Sequence, residues 1–458
     1  LNATPWMLDA RNDTERMTRL SLLFDRKTID KTIRDNIALL SRLSCKEGGW
    51  SWCAGYPDYS EWATRRVLAH MGRLVQLGFM PDNGALKNML QSALEHDTRM
   101  TLKDFRKYPD SDYTSYVYLH DMFANASYGA PDSRIVNAVT QKILSGWKSA
   151  SLAVKAVDAQ VLYRHNYRAV AGRILESIRQ FGVTSPGKGM YFPSLDNVWY
   201  GPMDKLGITA LILETFHMIE PGCADIDLLR QWLIIQKGAQ NWGSSFTATD
   251  VVAAVLATSG RWIAEAKGTE LKIGGKRIRP ESYERLTGEL EVSLSAKDVS
   301  GKELTVRKSS DSPAWGAVYC RYESDMNDFR AYSCPELSIE KSIPDSMKVG
   351  ERVTVRLTLK VDADMDYVAI IDDRPACLEP VDQLPAPIYA EGLRFYRENR
   401  DSSTRIFIDR LPKGTYVLSY DVWVNNAGSY TSGIASVQSQ YAPRYSAGSS
   451  GHAVIADE

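Results

Sequence analysis

This chain lacks charge of one sign: 55 lysines and arginines meet 56 aspartates and glutamates, for a formal net charge of -1 at pH 7. No Lys/Arg-rich run breaks that balance locally, so the electrostatic footprint of a nucleic-acid or anionic-membrane binder is missing. Also missing is an uninterrupted apolar stretch of about 18 residues that could span a bilayer. The cysteines Cys45, Cys53, Cys223, Cys320, Cys334 and Cys377 are scattered without a C-x-x-C pair, which argues against a zinc site or a dithiol redox centre. Cys45 with Cys53, and Cys320 with Cys334, are close enough in sequence for local disulfides; buried free thiols are the simpler reading. His70, His96, His120, His165, His217 and His452 show no i, i+4 pairing and no acidic companion of the H-E-x-x-H kind, so they read as surface or core histidines. No metal or cofactor is expected. Neither a G-x-S-x-G elbow nor a G-x-x-x-x-G-K-[ST] phosphate loop occurs.

What is there is ordinary globular composition, 44% hydrophobic and 24% charged over 458 residues, a length that suggests two to four domains. Up to about residue 262 the apolar residues recur at helical spacing. Ile33, Ile37, Leu39, Leu40 and Leu43 mark a helix over Asp30 to Leu43, and Val67, Met71, Leu74 and Val75 mark another over Ala63 to Leu77. Segments 135–147, 167–181, 205–219, 225–235 and 247–259 repeat the pattern. Gly-, Pro- and aromatic-rich joints separate them, at Gly48-Gly-Trp-Ser-Trp52, at 186–193 and at Gln240-Asn-Trp-Gly-Ser244. Two joints share a form: a tryptophan-bearing turn, then a Ser/Thr-rich entry to the next helix, through Thr64 in one case and through Ser244, Ser245 and Thr249 to a helix near Asp250 in the other. Such repetition suits stacked helical hairpins, and concentric hairpins in an α/α toroid fit it.

After about Gly268 the period becomes two. Leu290, Val292 and Leu294 alternate with polar neighbours, as do Val353, Val355, Leu357, Leu359 and Val361. Strands continue at Ile406 to Ile408 and Tyr416 to Val424, with Pro412-Lys-Gly414 as their turn. An antiparallel β-sandwich is the simplest architecture from Leu337 onward.

Several motifs are more specific than the periodicity. The run Asp401 to Tyr416, with Gly433-Ile-Ala-Ser-Val-Gln438 and Gln440-Tyr-Ala-Pro443, resembles the closing domain of bacterial alpha-2-macroglobulins, cell-envelope proteins that trap proteases. Leu43 to Gly55 resembles a signature turn in the family's helical thioester domain, and Trp315 to Tyr322 falls in a block that matches the second part of its CUB-type β domain. The resemblance implies three pieces: residues 1–264 as an α/α toroid domain lacking its start, 265–335 as the end of a CUB-like β domain, and 336–458 as a final macroglobulin-like sandwich. It also implies proteases as partners of the parent protein, a periplasmic location with a membrane anchor upstream, and no enzymatic activity.

The family's covalent chemistry uses Cys-x-Glu-Gln, in which the thiol and the glutamine side chain condense to a thioester that an attacking amine later opens. No cysteine here has glutamine three residues on; in Cys45-Lys-Glu-Gly48 the fourth residue has no side chain to acylate. The run Asn2 to Glu15 resembles a stretch downstream of the thioester in Bacteroidetes members, so the motif is expected upstream of Leu1 or absent. A tyrosine in a Met-Tyr-Ala-Pro context shields that bond in the family. Tyr441 matches it, with Gln440 replacing the methionine, which weakens an apolar cap; simple packing at a strand end is the alternative. Two other readings compete: a non-covalent binding or scaffold module, and an α/α-toroid enzyme. Asp110-Ser-Asp112 hints at the latter's acid motifs, though helix capping explains it better. Trp50, Trp52, Trp62 and Tyr59 offer a ligand platform or, more simply, packing of the turn on its helix.

Overall fold

The computed structural model describes residues 25–458 apart from 57, 125–127, 186–187, 196–203, 240, 241, 243, 260–268, 280, 281, 284–289, 309–317, 319–322, 324, 441 and 443. Two units result, Leu1–Ala254 with Tyr322–Glu458, and Val255–Arg321. The chain is helical first and β afterwards, the pairings antiparallel apart from the parallel pairing of segments 346–348 and 453–457.

The helices of the first unit are α1 (Arg26–Leu43), α2 (Glu61–Leu77), α3 (Gly84–Lys107), α4 (Thr114–Asp121), α5 (Ser133–Gly146), α6 (Leu152–Arg164), α7 (Arg168–Arg179), α8 (Lys205–Ile219), α9 (Ala224–Ala239) and α10 (Ser245–Thr258). Their starts are chemical. The side chains of Asp25, Ser60, Asn83, Asp132, Ser151 and Asp204 each accept from a backbone N–H in the first turn of the helix that follows, satisfying groups that have no partner within the helix. Gly78, at φ 73°, closes α2 in the left-handed conformation. Asp112 accepts from Thr114 N–H at 2.9 Å, so the Asp110-Ser-Asp112 segment serves the start of α4.

Burial differs between neighbouring helices. In α7 the buried residues are Ala171, Ile174, Leu175 and Ile178, a single stripe. In α4 every residue from Tyr116 to Asp121 is buried, and in α8 every residue from Leu206 to Leu213. Thus α4, α6 and α8 are enclosed by protein on most sides, whereas α5 and α7 expose a polar face. The stripe expected on α1 is only partly used: Ile37 is buried, while Ile33 and Leu39 remain exposed. The helix expected near Asp250 begins earlier, at Ser245, because Ser244 Oγ accepts from Thr247 N–H at 3.1 Å and caps it there. Among the described residues no helix is long and apolar enough to cross a membrane.

The expected sandwich is built from strands β8 (Leu337–Ser342), β9 (Ser346–Lys348), β10 (Arg352–Val361), β11 (Met365–Asp373), β12 (Leu378–Pro380), β13 (Ala386–Ala390), β14 (Leu393–Asn399), β15 (Ser403–Leu411), β16 (Gly414–Val424), β17 (Gly428–Thr431), β18 (Ala435–Ser439), β19 (Ser446–Gly448) and β20 (Ala453–Asp457). The sheet orders are β12-β16-β10-β8, β13-β14-β15-β11-β18-β19 and β17-β20-β9. Alternation does what period two requires: Val353, Val355, Leu357, Leu359 and Val361 all point inward. They meet Leu418, Tyr420 and Val422 of β16 and Val368, Ile370, Ile406 and Ile408 of the facing sheet in one core.

Before the sandwich, a hairpin of β1 (Val183–Ser185) and β2 (Gly189–Tyr191) interrupts the helices. Gly189, at φ 82°, is required there, since a Cβ would sit 2.3 Å from Leu228 O. The second unit holds β3 (Glu270–Ile273) between β4 (Lys276–Ile278) and β7 (Leu304–Arg307), a short pairing of β5 (Ser282–Tyr283) with β6 (Leu290–Glu291), and one turn of helix, α11 (Ala296–Val299). Of the expected strand across Leu290, Val292 and Leu294, only β6 forms.

Candidate functional site

The expected shielding position lies in the turn between β18 and β19. Tyr441 and Pro443 fall outside the described residues, but the frame that carries them is defined. Gln438 pairs with Ser446 at the base of the turn, Ser439 N–H donates to Tyr445 O at 3.0 Å and Tyr445 N–H to Ala442 O at 2.9 Å. Gln440 is exposed, and its backbone N–H donates to Tyr367 O at 2.9 Å. Tyr367 itself takes φ 51°, unusual for a residue other than glycine, at the point where the β11–β15 pairing skips a position between Asp366 and Val368.

This turn faces the helices. The guanidinium of Arg444 donates to Ile235 O in α9 at 3.1 Å and to the hydroxyl of Tyr445 at 3.0 Å, and lies 4.8 Å over the Tyr445 ring. A second link joins Lys188, in the β1–β2 hairpin, to Glu336 just before β8 at 3.0 Å. These polar contacts tie the sandwich to the helical part, and the Arg444 contact lies close in sequence to Gln440.

Behind the turn, β18 is set by a buried ionic junction. Lys341 Nζ donates to Asp373 O at 2.6 Å and Ser432 O at 2.7 Å and lies 2.6 Å from Asp372 Oδ1; Tyr420 Oη donates to Asp372 Oδ2 at 2.5 Å. Two carbonyls accept from this ammonium and the adjacent Asp372 carboxylate supplies the opposite charge, the condition under which a buried charge is tolerated. Gly433 follows at φ 66°, where a Cβ would lie 2.1 Å from Asp373 O.

The second motif, Gly48-Gly49-Trp50, is a packed turn. Trp50 is 1% exposed; its backbone N–H donates to Thr64 Oγ1 at 2.9 Å and its indole N–H to Leu40 O at 3.1 Å. Gly48 and Gly49 have φ 110° and 79°, and a Cβ on either would strike Ser92 O or Thr64 Oγ1. Trp50 thus belongs to packing, and so does Tyr59, half-buried with its ring centroid 4.4 Å from that of His96. Trp52 and Trp62 do not: they are 66% and 38% exposed, with ring centroids 4.8 Å apart, and Trp62 meets Phe246 edge-on at 5.8 Å. Arg66 lies 5.0 Å over the Phe246 ring.

Beneath Phe246 sits an ionic cluster between α2, α8 and α10. Arg73 is buried and pairs with Glu214 at 2.9 Å and Asp250 at 3.0 Å. Burial opposes its charge, yet the two carboxylates outweigh that and hold it protonated. Burial pushes the His70 imidazole down to about 4, against the pull of Asp250. The two carboxylates that converge here are balanced by two guanidinium groups, Arg73 and Arg66, the latter 3.5 Å from Asp250.

The histidines have acidic companions that the sequence did not show: His120 Nε2 lies 3.1 Å from Asp97 Oδ2, and His165 Nε2 lies 3.0 Å from Asp121. Asp97 is held below the usual carboxylate range: burial works against this, and His120 and Arg65 overcome it. Among the described residues no group of His, Cys, Asp and Glu is arranged to hold a metal. The described cysteines are free; Cys377 is buried, Cys45, Cys223 and Cys334 are half-buried, and Cys53 is exposed, so the buried-thiol reading holds for one. Cys320 and most of the Trp315–Tyr322 block lie outside the described residues.

Residues 332–444 match the family model of the bacterial alpha-2-macroglobulin MG10 domain. Similar solved structures include Escherichia coli alpha-2-macroglobulin activated by porcine elastase, at 16% identity over 92% of this chain and 38% of that one, TM-score 0.44. The trypsin-activated Escherichia coli protein is similar at 16% identity over 98% and 30%, TM-score 0.45. The native Escherichia coli protein from domain MG7 to the C-terminus gives 16% over 100% and 71%, TM-score 0.36. The chain spans less than two fifths of the first of these. A search of curated proteins finds no match. The family match thus rests on residues 332–444 of the 458.

Proposed function

We propose that the protein containing this chain is a broad-spectrum protease inhibitor of the bacterial cell envelope, periplasmic and membrane-anchored through a segment outside this chain. In this reading residues 1–264 are a thioester-type α/α toroid domain, 265–335 the closing part of a CUB-like domain, and 336–458 the final macroglobulin-like sandwich. Tyr441 and Gln440 cap the place where a thioester lies against the helices, and the Cys-x-Glu-Gln motif precedes Leu1. The observation that carries the reading is the Arg444–Ile235 contact, which brings the tyrosine-bearing turn of the MG10 sandwich onto α9. The meeting of α2 with α8 and α10 around Arg73 supports a closed ring of helices. A second reading, non-covalent trapping or an envelope scaffold, draws on Gln440, a polar residue where an apolar cap is expected.

Methylamine separates them. Incubated with the full-length protein, it gives a single mass adduct upstream of Leu1 and none within these 458 residues if trapping is covalent. No adduct anywhere supports the non-covalent reading, and an adduct on a cysteine of this chain contradicts both.

A further inference from the structure

A cavity of about 250 Å³ opens at the start of α6. Its walls are apolar for the most part: Leu152, Ala153, Phe181, Leu195 and Ile208 line it, and Lys155 is the charged residue among them. Lys155 is 4% exposed. Its Nζ donates to Ser177 Oγ at 3.0 Å and lies 5.3 Å over the Phe181 ring. A hydroxyl and a ring face are neutral partners, and among the described residues no carboxylate pairs with this ammonium. That is a different condition from Arg73 and Lys341, each of which has a carboxylate within 3.0 Å.

An ammonium so enclosed has lost hydration without gaining an anion, and a ligand carboxylate would restore the balance. The first turn of α6 lines the same cavity. Ser151 Oγ takes the Val154 N–H, the N–H groups of Leu152 and Ala153 have no partner within the helix, and the positive dipole end favours the same sign of ligand charge. The volume falls just under the range for drug-sized ligands, so a short chain fits and a large ring system does not.

We propose that this cavity binds an aliphatic carboxylate of medium length, its carboxylate on Lys155 and its chain against Leu152, Phe181, Leu195 and Ile208. The carboxylate would replace water at Lys155, and the chain would remove apolar wall from solvent. Octanoate is a suitable probe, with 1-octanol and octylammonium as controls of equal length.

Calorimetric titration of the full chain should show saturable octanoate binding, tenfold or more weaker binding of octanol, and none of octylammonium. Lys155→Met should bring octanoate binding down to the octanol level and leave octanol unchanged, while Lys155→Arg retains a preference for octanoate. Equal binding of octanoate and octylammonium by the unmodified chain overturns the proposal, as does the absence of saturable octanoate binding at millimolar concentration. The comparison among the three probes needs no variant, so it decides the matter even where Lys155→Met fails to fold.

Discussion

Lys341 Nζ lies 2.6 Å from Asp372 Oδ1, with the two side chains 1% and 0% exposed, and the same ammonium holds the carbonyls of Asp373 and Ser432. One buried charge thereby joins β8, the end of β11 and the segment entering β18. Removing it leaves Asp372 buried without the ammonium beside it, while the Tyr420 hydroxyl bond remains. Lys341→Met should lower unfolding stability by about 3–5 kcal/mol, and adding Asp372→Leu should recover most of that loss. Chemical denaturation of the two variants checks the pair; equal losses in single and double variants would contradict it.

Asp158 in α6 is 4% exposed, and burial first, then the charge of Asp112, raises its carboxyl to about 7. A carboxyl with a folded pKa above its unfolded value stabilises fully below about pH 4 and loses that contribution as pH rises through about 7. Asp158→Asn should therefore stabilise the protein at pH 8, by an amount on the order of 2 kcal/mol, and have little effect at pH 4. Thermal melts of both forms at the two pH values read this out.

The tryptophans of the Gly48-Gly49-Trp50 turn separate by burial. Trp50→Ala removes a side chain that is 1% exposed and hydrogen-bonded to Leu40, so it should cost about 3–5 kcal/mol. Trp52, 66% exposed, should tolerate alanine within about 0.5 kcal/mol. Denaturant midpoints of the two variants give the comparison.

Arg444→Ala removes the contact to Ile235 O. Both partners sit on frames held by other bonds, so the global melting temperature should change little while amide exchange rises in 438–446 and in α9. Unchanged exchange at both places would show that the contact does not couple them.

Much of this fold was readable from spacing alone. The strands from Leu337 onward were legible because one face is buried and the other wet, so β10 reads as strict alternation. Helices α5, α7 and α8 were legible near their bounds. Helices α4 and α6 were not, because helices buried on most sides carry no stripe; α3 had its signal in the Asn83 cap, which periodicity does not weigh. The Gly-Gly-Trp joint announced itself as a turn, but only the structure separates Trp50 from Trp52. Pairings such as His120 with Asp97, 23 residues apart, and Arg73 with Asp250, 177 apart, had no local sequence signal, since they depend on which helices are neighbours. The Lys341 junction was only half legible: Lys341 falls in phase with Leu337 and Ile339 on the inward face of β8, but nothing local points to Asp372 as its partner.

The central claim is that the full-length protein traps proteases. Trypsin incubated with it, then assayed on a small chromogenic peptide and on casein, tests this most directly. The account predicts that hydrolysis of the small peptide persists while hydrolysis of casein falls at least tenfold. Equal activity on casein with and without the protein would contradict it.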